Sequence, residues 1–160
     1  MEVLSVQAFE KDIARRLSAL GMESTFTEGV GAPQIGDTLR ILFPVTPAGD
    51  AVITELMVTG LSPEIDLLHV YSTVVVEIGP RYDALVRKLV SWNARCPLGA
   101  YGIYEEERQL YHKYSYPIPR DCDPEDLAGL AMTLLELIHE VLAETYREAE
   151  TYAAEAPEDG

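Results

Sequence analysis

Two cysteines, three histidines, one tryptophan and 12 basic residues are all that 160 positions offer of these types. Cys96 and Cys122 are too few for a disulfide framework or a cysteine-built metal site, and they lie far apart in the chain. Reduced, structural thiols in a reducing compartment are the expectation; a disulfide would need the two segments to meet in the fold. His69, His112 and His139 have no second histidine or cysteine at ligand spacing, and neither HExxH nor CxxC occurs. No metal and no other cofactor is therefore expected. A run of about 18 apolar residues, the length needed to cross a bilayer as a helix, is missing too. Met1-Glu2-Val3-Leu4 lacks the basic start, apolar stretch and small-residue cleavage site of a signal peptide. The expected location is cytoplasmic.

The shortage of basic residues decides more. Against 27 acidic residues the 12 Lys and Arg leave a net charge of −15. Such a surface repels phosphate backbones and anionic membranes, so neither nucleic acid nor membrane is an expected partner. Basic or amphipathic polypeptides are what this field attracts, although the same charge also serves solubility.

What is present suits one domain with a sizeable core: 48% of the residues are hydrophobic. The domain is expected over 1–150, followed by an acidic, breaker-rich tail at 151–160 that frays from Tyr152 onward. Val6, Phe9, Ile13, Leu17 and Leu20 recur at helical spacing. Ser5 stands where an N-terminal cap would, and Gly21 where the left-handed turn after the helix would. Residues 22–37, with Gly29, Gly31, Pro33 and Gly36, read as a loop or a ragged edge strand. Gly29-x-Gly31 is no phosphate loop, for it lacks the strand–loop–helix context and the following lysine or third glycine.

Leu39, Ile41, Phe43 and Val45 alternate with Thr38, Arg40 and Pro44, and after a Pro47–Asp50 turn Val52, Thr54, Leu56 and Val58 alternate with Ala51, Ile53, Glu55 and Met57, a strand with a mixed outer face. After a loop at 60–66, residues 67–78 are rich in β-branched side chains. Leu68, Val70, Val74, Val76 and Ile78 share one phase there, which predicts a central strand. Gly79-Pro80 opens a second helix whose expected inner stripe is Tyr82, Leu85, Val86, Leu89, Val90 and Trp92 or Asn93. A hairpin of 100–105 and 109–118 follows, with Glu105-Glu106-Glu107-Arg108 as its solvated tip. Asp123 then caps a long helix with Pro124 in its first position. Its apolar face runs from Leu127 to Tyr146, and Glu136, Glu140, Glu144 and Glu148 repeat on the outside.

Chemistry is thin. Cys96 beside Pro97 closes a helix, where the dipole raises a thiol pKa instead of activating it, and no GxSxG occurs. No enzymatic activity is expected. His69 and His112 fall on strands that can neighbour each other. Five tyrosines, Tyr101, Tyr104, Tyr111, Tyr114 and Tyr116, crowd one hairpin, with His112 in phase with Tyr114 and Tyr116 and Tyr111 facing the other way beside Lys113. Tyrosine joins apolar area to a polar handle and suits surfaces that grip polypeptides, as it also suits a half-buried sheet face. These five and His112 are the candidate binding residues.

The Leu89-Val90-Ser91-Trp92-Asn93 helix end, the Gly99-to-Tyr104 strand and the late Asp-capped helix resemble the YbjN-like family. That family is loosely labelled as sensory-transduction regulators and is similar in fold to type III secretion chaperones. The resemblance spans about residues 4–146; where family members carry an Asp-Gly-like turn between the last two strands, this chain has Glu105–Arg108. It implies an α+β fold ordered helix, three strands, helix, two strands, helix, with an antiparallel sheet packed by helices. No catalytic residue carries over. By likeness to the secretion chaperones it implies a small acidic homodimer, joined through the sheet or the second helix, that holds a partner's segment in extended form. The leading expectation is a non-enzymatic polypeptide-binding module, a chaperone or a regulatory adaptor, with an acid-rimmed apolar groove beside the tyrosine hairpin. The alternative is a sensor holding a small molecule between sheet and helix, near His69, Tyr71 or His112.

Overall fold

The computed structural model of the chain describes residues 3–27 and 38–155. The elements run α1 (Val3–Ala19), β1 (Ser24–Thr27), β2 (Thr38–Pro44), β3 (Ala51–Gly60), β4 (Ile65–Val75), α2 (Tyr82–Arg95), β5 (Ala100–Tyr104), β6 (Gln109–Pro119) and α3 (Pro124–Glu150). All strand pairs are antiparallel, and together they make one six-stranded sheet in the order β1-β2-β3-β4-β6-β5. The class is α+β. Four strands form a meander, α2 carries the chain past one strand position to the far edge, and β6 returns into the place between β4 and β5. The stretch open to two readings contributes β1 at the sheet's edge; Gly29, Gly31, Pro33 and Gly36 lie outside the described residues.

The alternations of β2 and β3 are met as expected. Leu39, Ile41, Phe43 and Val45 are buried on β2 and just after it, and Val52, Thr54, Leu56 and Val58 on β3. Their turn holds through Gly49, at φ +95°, and a Val45 N–H to Asp50 O bond of 2.8 Å. β4 is central, but it ends at Val75, short of the expected Ile78. A register shift between Thr73 and Val75 breaks the alternation, so Val74 and Val75 are both buried and Val76, expected inside, is 70% exposed; Ile78, past the end of the strand, is buried as expected. One extra residue in a strand is enough to interrupt the period of two.

All three helices lie on one face. α3 packs on α1 and β4, α2 on β5, and α1 on β1 and β2. Phe9, Ile13 and Leu17 of α1, Leu127, Leu134, Leu135, Ile138 and Leu142 of α3, and the inward strand residues form one core. Each fully buried Leu or Ile there is worth about 1.5–3 kcal/mol. Asp123 caps α3 as its sequence predicts, accepting from the Glu125 and Asp126 amides at 2.9 and 3.4 Å. At the end of α1, Gly21 (φ +74°) takes the left-handed turn, with Met22 N–H reaching Leu17 O at 3.0 Å. α1 itself begins at Val3, so Ser5 lies inside the helix and not ahead of it, and Leu20, past its last turn, is exposed.

Two further expectations are corrected. On α2 only Leu85 and Trp92 are buried, and Val86 and Val90 are 43% and 74% exposed. The helix sits against the edge strand and has a partner along a narrower stripe than its sequence offers. The chain also does not fray from Tyr152. Tyr152 is buried with the Arg81 guanidinium 4.5 Å over its ring. Gly79 N–H donates to Tyr152 O and Ala154 N–H to Glu77 O, both at 2.8 Å, so residues 152–154 form a short strand-like clip beside the end of β4. Residues 156–160 lie outside the described part of the tail.

Candidate functional site

The period of two in β4 and β6 divides the candidate residues between two faces. In the register Ser72 lies opposite His112 and His69 opposite Ser115, so the two histidines point to opposite sides and do not meet. On the helix side, Tyr101 and His112 are buried, with ring centroids 5.1 Å apart and Trp92 on the other side of Tyr101 at 5.4 Å. The Tyr101 hydroxyl bonds Thr145 of α3, and burial pushes its pKa up to about 12. Tyr114 and Tyr116 share this side half-buried, their rings 6.4 Å apart. These residues stitch sheet to helices. Tyr101 and His112 offer no surface to a partner.

Tyr104 and Tyr111 face the other way. Tyr111, on the strand between β4 and β5, stacks on Tyr71 at 5.3 Å and 25° and lies 4.6 Å from Tyr104; Tyr71 and Tyr104 are 6.0 Å apart. The three rings form one aromatic plate. Tyr71 O–H donates to Gln109 at 3.3 Å, and its pKa is raised, by burial first and then by the neighbouring phenols. Gly102 makes the plate possible: it lies directly opposite Tyr111, and a Cβ there would collide with the phenol end of that ring. Next to the plate, His69 bonds Ser115 Oγ through Nδ1 and Thr59 Oγ1 through Nε2, both at 2.7 Å. Burial lowers its pKa, and Lys113 lowers it further, so the ring is held neutral between two hydroxyls. On β2 and β3 the same face carries the cross-strand pair Leu42 and Ile53, 52% and 37% exposed. Among the described residues no helix packs on this face.

Between the end of α2 and α3, beside Tyr101, there is also a cavity of about 280 Å³, lined by Trp92, Arg95, Cys96, Tyr101, Glu144 and Thr145 among others. Cys96 Sγ stands 3.7 Å from His112 Nε2, but both atoms are committed to the Leu98 carbonyl, at 3.0 and 2.7 Å. A carbonyl only accepts, so His112 carries its proton on Nε2 and cannot take one there from the thiol. Burial, with Glu144 adding to it, raises the Cys96 pKa. The pair lacks what a nucleophile needs. Cys96 and Cys122 are both free, and among the described residues no group of three or more His, Cys, Asp or Glu side chains is placed to hold a metal ion. Glu105, Glu106 and Glu107 are exposed at the hairpin tip, whose turn closes at Arg108 with φ +52°. On α3, Glu136, Glu140, Glu144 and Glu148 are all exposed, and Glu148 pairs with Lys88 of α2 at 2.8 Å, which holds its pKa down.

The sequence missed three parts of this arrangement. Gly102 has no local signal, being one glycine in a strand. Tyr71 joins the plate only through the β4–β6 register. Asn93, read as the residue that ends α2, pairs with the backbone of Tyr101 through both ends of its amide, at 3.0 and 2.7 Å.

The class these observations define is an α+β domain with one antiparallel sheet, covered by helices on one face. Among solved structures the chain is similar to the crystal structure of YbjN from E. coli, a candidate transcription regulator, at 16% identity over 87% of this chain and 92% of that one, with a TM-score of 0.48. No family model matches the chain, and no curated protein matches its sequence. No helix among the described residues is long and apolar enough to cross a membrane.

Proposed function

We propose that the chain is a non-enzymatic polypeptide-binding module, a chaperone-like protein or regulatory adaptor, and that it grips its partner with the helix-free face of the sheet. The observation that carries this reading is the plate of Tyr71, Tyr104 and Tyr111 on that face, beside the exposed Leu42 and Ile53. Stacked phenols present rigid apolar area with hydroxyls at the rim, the composition that anchors protein interfaces. The charge of −15 favours basic or amphipathic segments and disfavours nucleic acid. Val86 and Val90, one helical turn apart on the outside of α2, are the surface through which a homodimer would form. Capture from a native lysate tests the reading. The wild type retains a stoichiometric protein partner, and a Tyr104→Ser/Tyr111→Ser variant of unchanged thermal stability loses it. Retention undiminished in the variant contradicts the reading.

The sensor reading has its own support in the cavity of about 280 Å³ between α2 and α3, where Cys96, Glu144, Thr145 and Arg95 converge beside two aromatic walls, although His69, Tyr71 and His112 do not line it. It predicts no protein partner and a metabolite that raises the melting temperature of the wild type but not of a Thr145→Val variant.

A further inference from the structure

The ladder between β3 and β4 stops at Ile53 opposite Thr73, yet both strands continue: β3 starts two residues earlier, against β2, and β4 runs on to Val75 against β6. The register shift of β4 against β6, between Thr73 and Val75, falls at this same point. A cavity of about 460 Å³ lies in the opening, with Ala51–Ile53 on one side and Thr73–Glu77 on the other. Past the opening, the position beside β4 is taken by the chain itself. Residues 152–154 pair there with Glu77 and Gly79 as an antiparallel segment. The sheet thus accepts an added strand next to β4 at one end of the opening and β3 at the other.

The lining is apolar and acidic. Leu42, Ile53 and Val76 are 52%, 37% and 70% exposed, and Glu77 and Glu150 stand on the walls. Among the described residues no lysine or arginine lines the cavity. Tyr146, which also lines it, has its pKa raised by burial first and then by Glu150 and Asp50, in keeping with a negative potential there. The chain's own continuation is poorly matched to this site. Glu155, Glu158 and Asp159 would meet the wall carboxylates, and Pro157 has no N–H to give to a ladder.

Resting on the polypeptide-binding reading above, we infer that the opening between β3 and β4 is a strand-receiving site for an extended segment of another protein whose side chains alternate apolar and basic. The apolar side chains would settle on Ile53 and Val76, the basic ones would reach Glu77 and Glu150, and the segment's backbone would continue the ladder that Thr73 breaks off.

Backbone amide NMR of the full chain, titrated with the peptide Lys-Val-Lys-Val-Lys-Val-Lys, tests this. A second peptide of equal charge, with proline in place of each valine, separates strand pairing from simple attraction. The inference predicts shifts concentrated at 51–53 and 73–77, at least tenfold weaker binding of the proline peptide, and at least tenfold weaker binding of the valine peptide to a Val76→Lys variant. Val76 is exposed, so that variant keeps its fold. Equal binding of the two peptides overturns the inference. So do shifts confined to Tyr71, Tyr104 and Tyr111, which would leave the reading of the open face standing. Shifts at 51–53 and 73–77 that appear on dilution or on deletion of 156–160 without peptide would assign the opening to a second copy or to the tail, and overturn it as well.

Discussion

The side-chain amide of Asn93 stands in for a neighbouring strand at Tyr101: its Nδ2 donates to the Tyr101 carbonyl at 3.0 Å, and the Tyr101 N–H donates to its Oδ1 at 2.7 Å. Among the described residues β5 is the last strand of the sheet and pairs only with β6. One side chain from α2 therefore satisfies both backbone groups of an edge residue and ties the helix end to the sheet. It also blocks the start of a five-residue edge, at its second residue, against pairing with another chain.

Replacing Asn93 by alanine removes both bonds and leaves part-buried backbone groups unpaired. The expected loss is about 1–3 kcal/mol in urea unfolding, with the slope unchanged. A glutamine at 93, one methylene longer, should recover less than half of it. A loss below about 0.3 kcal/mol for the alanine variant would show that water replaces the amide at no cost.

Gly102 and Tyr111 should behave as one unit. Gly102→Ala forces the Tyr111 ring off β5, with an expected cost of about 1–3 kcal/mol. In a Tyr111→Ser background the clash is gone and most of that cost should vanish, a coupling that a double-mutant cycle reads directly. Additive effects would mean that the ring does not lie over the glycine in solution.

The histidines should make stability fall on mild acidification. Burial lowers the pKa of His112 from 6.5, and that of His69 with help from Lys113. In the unfolded chain both return to about 6.5. Between the folded and unfolded values the unfolded state binds more protons, so the stabilisation is complete above about pH 6.5 and is lost as pH falls below it. His112→Gln, which keeps a donor for the Leu98 carbonyl, should be less stable than the wild type at pH 7.5. The gap between the two urea midpoints should then narrow by pH 5.5. A gap that stays constant with pH would remove His112 from the account.

The clip at 152–154 predicts slow amide exchange at Gly79 and Ala154, whose N–H groups it pairs. Tyr152→Ala removes a buried ring and the Arg81 contact over it and should cost about 3 kcal/mol. Exchange of the Ala154 amide as fast as that of an unstructured peptide would show that the segment frays after all.

What the sequence made legible was what depends on near neighbours. The alternation of Leu39, Ile41 and Phe43, the Asp123 cap, the Gly21 turn and the opposite facing of Tyr111 and Tyr114 all follow from two or three adjacent residues. Long-range pairing stayed hidden. Val76 reads as an inward residue until the shift at Thr73 is known, and Val86 and Val90 read as buried until α2 is seen against an edge strand. Tyr152 looks like part of a fraying tail because its partners, Gly79 and Arg81, lie some 70 positions earlier. The candidate site suffered the same way. Its tyrosines were visible, but their division between two faces, and the inclusion of Tyr71, required the register of β4 with β6.

Hydroxyl-radical footprinting of the chain with and without the captured partner bears most directly on the claim that the helix-free face binds polypeptide. Tyr104, the most exposed ring of the plate, and its neighbours Tyr111 and Tyr71 should lose reactivity when the partner is bound, while Tyr116 and Tyr146 on the helix side keep theirs. Protection of Trp92 and Cys96, with Tyr104 and Tyr111 still fully reactive, would contradict the account and move the binding site to the cavity between α2 and α3.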